Sequence, residues 1–243
     1  VTTEWRATAE KNLDGLNQNS YPGRGIVIGQ TPDGTRLVQV YWIMGRSENS
    51  RNRIFVQEEN GFVRTEARDP AKLTDPSLII YYPIRHTGDA HIVTNGDQTD
   101  TIYDELQTGG TFEQALTTRT FEPDAPNYTP RISGIIELGN QQCRYKLSIL
   151  KTNSGNPAQT LRQFFHYEQA VPGYGHCIHT YSADGNPLPS FDGEPKLMPL
   201  YNDVEKTVHA YWSRLNAENK ISLLVKTVHV ETGATEMRVI NKN

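Results

Sequence analysis

The chain has 243 residues, 36% of them hydrophobic and 21% charged, with a formal net charge of −4. That length is ample for a real core in one domain, the aromatic content excludes a disordered chain, and the acidic balance excludes wholesale nucleic-acid binding, which needs an excess of Lys and Arg. No apolar run approaches the ~20 residues of a membrane span, Val1-Thr2-Thr3-Glu4 carries no targeting signal, and Cys143 and Cys177 form no CxxC pair, so a cytoplasmic protein with reduced thiols is expected.

Residues 3–17 read as a helix, with Thr3 as N-cap and Trp5, Ala9, Leu13 and Leu16 on one face. Residues 24–44 read as a β-hairpin turning at Pro32-Asp33-Gly34-Thr35, and a second hairpin joins Ile54–Val56 to Phe62-Val63 across Asn60-Gly61. Leu78–Tyr82 reads as a buried strand paired with His91–Val93 across Gly88-Asp89. Two helices are expected next, 101–107 and 111–120, the second capped by Thr111. Strands follow at 131–138, 142–151, 161–169 and 176–182. A helix capped at Asn202, with Glu205 in the capping-box position, precedes strands 220–230 and 236–241. The stretch 184–199 reads as a loop draped over the surface. Short strand-to-strand connections imply antiparallel neighbours, hence an α+β fold of two antiparallel sheets with helices outside them.

Four polar clusters interrupt this pattern. Tyr21-Pro22-Gly23-Arg24-Gly25 sets an arginine between glycines at a strand start, as a plain turn or as a phosphate contact. Gly45–Arg53 places Arg46, Arg51 and Arg53 among Ser47, Asn49 and Asn52; such mutual repulsion favours a bound anion over a bare solvated loop. Tyr81–Arg85 followed by Thr94-Asn95-Gly96-Asp97 precedes a helix start, where Thr99 or Asp100 could cap the helix or free N–H groups could hold an anion. Phe121–Arg131 is stiffened by Pro123, Pro126 and Pro130 and carries Glu122 at one end and Arg131 at the other, which suits a preorganised site. The seven histidines are scattered; His176 and His179 lie on opposite faces of one strand, so no metal site is expected from them. No GxSxG, Walker or Rossmann pattern is present.

Together the clusters resemble the archaeal-type IMP cyclohydrolase family. The resemblance rests on Pro22-Gly23-Arg24, Gly45-Arg46-Ser47 with Asn52-Arg53, Tyr81 with Ile84-Arg85, Asn95-Gly96 with Thr99–Ile102, Glu122 with Asn127, Thr129–Ile132 and Tyr167–Gln169. It implies a single domain over 1–243 with residues 1–20 as an added N-terminal helix. It further implies a four-layer α-β-β-α sandwich like the N-terminal-nucleophile hydrolases, without their N-terminal nucleophile because Val1 stands first. The implied activity is dehydrative closure of a formamido-imidazole-carboxamide ribonucleotide to inosine monophosphate (IMP), with no metal or organic cofactor. Tyr81, Glu122, Arg53 and Arg46 are the implied catalytic residues. Arg24, Ser47, Asn52, Asn95, Gly96, Thr101, Asn127, Thr129 and Arg131 are the implied substrate contacts. The partner is then a purine nucleotide, with neither nucleic acid nor membrane, and a homo-oligomer stays open. Two rivals differ in kind: an amidohydrolase of the N-terminal-nucleophile type, which needs proteolytic exposure of Ser20, Ser47 or another hydroxyl, and a nucleotide-binding module without turnover.

Overall fold

In the computed structural model, which describes residues 3–73, 76, 78–140 and 142–242, the alternating segments pair as hairpins and the 3.6-periodic ones coil. Helix α1 (Thr3–Gln18) leads into β1 (Gly25–Gln30) and β2 (Arg36–Met44); a one-turn helix α2 (Glu48–Arg51) precedes β3 (Ile54–Gln57) and β4 (Val63–Glu66). β5 (Ile84–Thr87) and β6 (Ala90–Thr94) are followed by α3 (Gln98–Gln107) and α4 (Phe112–Thr117). Next come β7 (Arg131–Glu137), β8 (Tyr145–Asn153), β9 (Asn156–Tyr167), β10 (Tyr174–His179) and β11 (Lys196–Pro199). Helix α5 (Val204–Trp212) precedes β12 (Lys220–His229) and β13 (Thr235–Asn241).

Two antiparallel sheets result, ordered β11-β10-β1-β2-β12-β13 and β3-β4-β5-β6-β7-β8-β9. Because side chains alternate along each strand, every central strand feeds two cores. Ile26, Ile28, Tyr41 and Ile43 of the first sheet meet Val93, Ile132, Ile136 and Leu147 of the second in a core between the sheets. Val27, Val40 and Trp42 face the other way, onto Leu13 and Leu16 of α1 and Val208 and Tyr211 of α5. On the far side of the second sheet, Ile92, Ile135 and Leu150 pack on Ile102, Phe112 and Leu116 of α3 and α4. The α+β class with two antiparallel sheets is therefore as expected. Cys177 and Ile178 fall in different cores, as strand alternation requires.

Several expectations change. Leu78–Tyr82 is no strand: Ile79 and Ile80 donate to the Pro76 carbonyl at 3.0 and 2.8 Å, and Ile80 is exposed. Pro83 lacks a donor, and Tyr81 docks onto Thr65 by its N–H to Oγ1 at 2.9 Å, so residues 84–87 pair with β6 instead. Helix α3 starts at Gln98 behind Asp97, whose side chain makes no cap bond because Arg119 and Arg131 hold its carboxylate. Helix α4 is shorter than 111–120, but the Thr111 capping box is present, with Gln114 as its reciprocal partner. The cap of α5 is Asp203, accepting from the Glu205 and Lys206 amides. Asn202 is diverted, its Oδ1 accepting from Asp33 N at 3.0 Å.

The stretch 184–199 is more than a drape. It buries Leu188 and Phe191 and ends in β11, paired with β10. Trp5 sits largely outside the α1 core, its ring edge-on to Tyr174 at 5.9 Å. No helix among the described residues is long and apolar enough to cross a membrane.

Candidate active site

Segments distant in sequence meet at one end of the space between the sheets. Arg24 stands at the entrance to β1, its amide donating to Thr180 Oγ1 at 3.1 Å and its carbonyl accepting from Thr180 N at 2.9 Å. Gly23, at φ 73, is needed there because a Cβ would run into Thr180 and the Tyr181 ring. The close approach thus serves Tyr181 packing. Arg53 precedes β3 and is steered inward by Nε donating to Ser50 O at 2.8 Å, at the end of α2. Tyr41 projects from β2 between the sheets, and its hydroxyl lies 2.7 Å from that of Tyr81.

Glu122 and Thr129 are bridged across the proline-rich connector by Glu122 N to Thr129 O at 2.9 Å. Asp124 braces the turn by accepting from the Thr129 amide at 2.6 Å and from its hydroxyl, and that hydroxyl also meets the Tyr181 hydroxyl at 2.5 Å. Arg131, at the start of β7, donates to Gln98 Oε1 at 2.8 Å and pairs with Asp97 at 2.6 Å. Gly96 leaves room for it: a Cβ would come within 2.6 Å of Arg131 Nη1.

The electrostatics are unusual. Arg24, Arg53, Glu122 and Arg131 are all buried, at 8%, 2%, 2% and 7% exposure. The ion pair within the cluster is a loose one, Arg24 to Glu122 at 3.8 Å. Arg24 Nε and Arg53 Nη1 are shielded from solvent with no hydrogen-bond partner among the described residues. Burial, reinforced by Arg24, lowers the Arg53 pKa, so the site holds a second cation against its preference. Burial raises Glu122 above the usual carboxylate range, against the pull of Arg24 and Arg131. Burial likewise raises Tyr81, opposed by Arg53 and Arg24, which keeps it a hydroxyl donor near neutrality. The cluster can therefore take in an anion, donate a proton from a phenol, and accept one at a carboxylate.

Among the residues expected from sequence, Arg24, Arg53, Tyr81, Gly96, Glu122, Thr129 and Arg131 come together. Asn95 lies beneath them as a brace, donating to Pro130 O at 2.9 Å and accepting from Ile132 N at 2.9 Å. Arg46 lies at the rim, half-exposed, paired with Asp184 at 2.5 Å and stacked over Tyr21 at 4.9 Å. Ser47 caps α2, accepting from Ser50 N at 3.1 Å. Asn52 clamps Asp69 through two bonds of 2.8 and 2.7 Å. Thr101 accepts from Arg119 at 3.3 Å, and Asn127 accepts from Leu188 N at 3.1 Å, pinning the 184–199 stretch.

Tyr41, Tyr21, Tyr181 and Asp124 are members that sequence reasoning missed. Tyr41 was hidden inside an apolar strand, where a tyrosine ordinarily packs. Asp124 had a signal, standing in the same rigid connector as Glu122.

The model of a family described as IMP cyclohydrolase-like protein matches residues 21–233. A protein of Methanopyrus kandleri named IMP cyclohydrolase is 38% identical over 120 residues, covering 48% of this chain and 59% of the relative. Proteins of the same name from Methanococcus maripaludis and Haloquadratum walsbyi are 32% and 29% identical over 120 residues, covering 48% of this chain and 58% and 56% of theirs. The chain thus spans less than two thirds of the length of these curated relatives. With the family model running from the Tyr21–Arg24 turn to the last hairpin, the chain belongs to the IMP cyclohydrolase-like family.

Proposed function

We propose that the chain is an IMP cyclohydrolase, closing the six-membered ring of a formamido-imidazole-carboxamide ribonucleotide with loss of water. The observation that carries this reading is the pair of buried guanidiniums, Arg24 and Arg53, each with one nitrogen lacking a partner among the described residues, beside a buried carboxylate and a phenol. Burying such donors unpaired is costly, and an anionic substrate relieves the cost.

In the reaction the carboxamide nitrogen attacks the formyl carbon, forming one C–N bond and a tetrahedral oxyanion. The carboxamide nitrogen gives up one proton and the oxyanion takes one up, leaving a neutral carbinolamine. The formamido nitrogen then loses its proton as the C=N bond forms, the C–O bond breaks, and the former formyl oxygen departs with two protons as water. Both groups sit on one imidazole, so proximity is built into the substrate and the protein's tasks are conformation, charge and proton transfer. Glu122 orients the carboxamide and takes its proton; its raised pKa brings it closer to neutrality than an ordinary glutamate. Tyr81 donates to the formyl oxygen, with Tyr41 behind it. Arg53 and Arg24 hold the developing oxyanion or the phosphate. Arg131, Gly96 and Thr129 contact the nucleotide, and Arg46, reached through Tyr21, closes over it from the rim.

We further propose that the two sheets and their helices form a single domain of four layers, like the N-terminal-nucleophile hydrolases, with α1 as an addition to the family's core. A cytoplasmic setting and a free nucleotide partner fit a net charge of −4. Tyr81→Phe is expected to lower the rate of ring closure ~10²–10³-fold, as for loss of one oxyanion donor. Ultraviolet absorbance of the forming purine reads this directly, and a wild-type rate in the variant would remove Tyr81 from the mechanism.

A further inference from the structure

A second set of buried polar groups lies between the sheets, away from Glu122. Lys226 of β12 and Gln39 of β2 are register partners. Each is two residues from a side chain of the intersheet core, Leu224 and Tyr41, so both project into that space. From the other sheet, His86 of β5 pairs with His91 of β6, two residues from the intersheet Ile84 and Val93. The imidazoles stack at 5.7 Å. Lys226, Gln39 and His91 are buried at 1%, 0% and 3% exposure, while His86 is only partly covered and rests edge-on against Phe62.

Lys226 Nζ, Gln39 Oε1, His91 Nδ1 and His86 Nδ1 are all shielded from solvent, and none has a hydrogen-bond partner among the described residues. One such lapse in a fold is ordinary; an ammonium and three further polar atoms gathered in one place are not. Burial pulls Lys226 down to about 8, with no carboxylate offsetting it. Burial together with Lys226 and His86 pulls His91 down to about 3, so the histidines stay neutral and the charge rests on Lys226. Gln39 donates through Nε2 to the His91 carbonyl at 2.9 Å, which fixes its amide and leaves Oε1 as a true acceptor.

We propose that Lys226, Gln39, His91 and His86 bind a small oxyanion that keeps a proton, of the bicarbonate or hydrogen phosphate kind. The ammonium requires negative charge, and Gln39 Oε1 requires a donor. The neutral imidazoles donate or accept according to tautomer. A halide or nitrate supplies charge but no donor; water supplies a donor but no charge. His86, partly covered beside Phe62, is the member of the group nearest solvent. The site's existence does not depend on the cyclohydrolase reading.

The test is thermal unfolding of the whole chain near pH 7, with bicarbonate, hydrogen phosphate or nitrate added at matched ionic strength. Wild type is compared with Lys226→Met and Gln39→Glu, the second of which installs a fixed carboxylate beside Lys226. Bicarbonate or hydrogen phosphate should raise the wild-type Tm by about 3–6 °C at ten times its Kd. Both variants should lose that part of the shift; any phosphate response that persists in them belongs to the arginine cluster. Should Lys226→Met fail to fold, Gln39→Glu carries the same comparison. An equal shift with nitrate, an undiminished shift in the variants, or no shift in wild type overturns the proposal.

Discussion

Glu122→Gln is expected to reduce ring closure by about 10²–10⁴-fold, the usual worth of a positioned general base. The amide keeps the shape of the side chain and removes its ability to take a proton. Little effect on folding is expected, because burial raises Glu122 against the pull of Arg24 and Arg131 and the fold thus favours the neutral side chain that glutamine supplies. Turnover is compared well below the unfolding midpoint of each protein. In wild type, the acid limb of kcat/KM should lie above the ordinary glutamate range, because Glu122 becomes a base only as pH rises through its raised pKa. An acid limb at or below that range, or a wild-type rate in the variant, would take the base role away from Glu122.

Acid should unfold the protein early. Burial lowers His86 in the folded chain, with help from Lys226, and lowers three other histidines far: His91, helped by Lys226 and His86, to about 3; His179, helped by Lys196, to about 3; and His176 to about 4. In the unfolded chain each titrates near 6.5. Between those values the unfolded state binds more protons, so this contribution is complete above pH ~6.5 and drains as pH falls towards the folded values. Each of those three costs roughly 1.4 kcal/mol per pH unit in that window, or about 4 kcal/mol per unit for the three together. The raised pKa of Glu122 works the other way, one group against three. Against a typical total of about 5–15 kcal/mol, the urea midpoint should drop steeply from pH 6.5 to 5. A midpoint flat over that interval would mean that these imidazoles are hydrated in the folded chain.

What the sequence made legible follows from what is local. Hairpins announced by Pro32–Thr35, Asn60-Gly61 and Gly88-Asp89 formed because turn residues and alternation act over a few positions. The run Leu78–Tyr82 misled because an apolar stretch says nothing of its flanking prolines' effect on hydrogen-bond supply; its amides went to Pro76 and Thr65. The Asp97 cap was missed for a tertiary reason, since only the fold brings Arg119 and Arg131 to its carboxylate. Within the site, charged residues in odd settings stood out, namely Arg24, Arg53, Glu122 and Arg131. Tyr41 and Lys226 did not, because each sits in a strand whose neighbours are apolar, and their partners come from across the sheet or the opposite sheet. Ser47, Asn52 and Asn127 carried a polar signature that the fold spends on capping and loop anchoring.

The most direct measurement mixes the purified chain with the formylated imidazole-carboxamide ribonucleotide and follows the ultraviolet change of purine formation. Steady appearance of the hypoxanthine chromophore, abolished together with IMP binding in Arg53→Met, is the result expected of a ring-closing site at the buried arginines. Calorimetric binding of IMP with no conversion of the open-ring nucleotide would contradict it, leaving a chain that holds the product's shape without performing its synthesis.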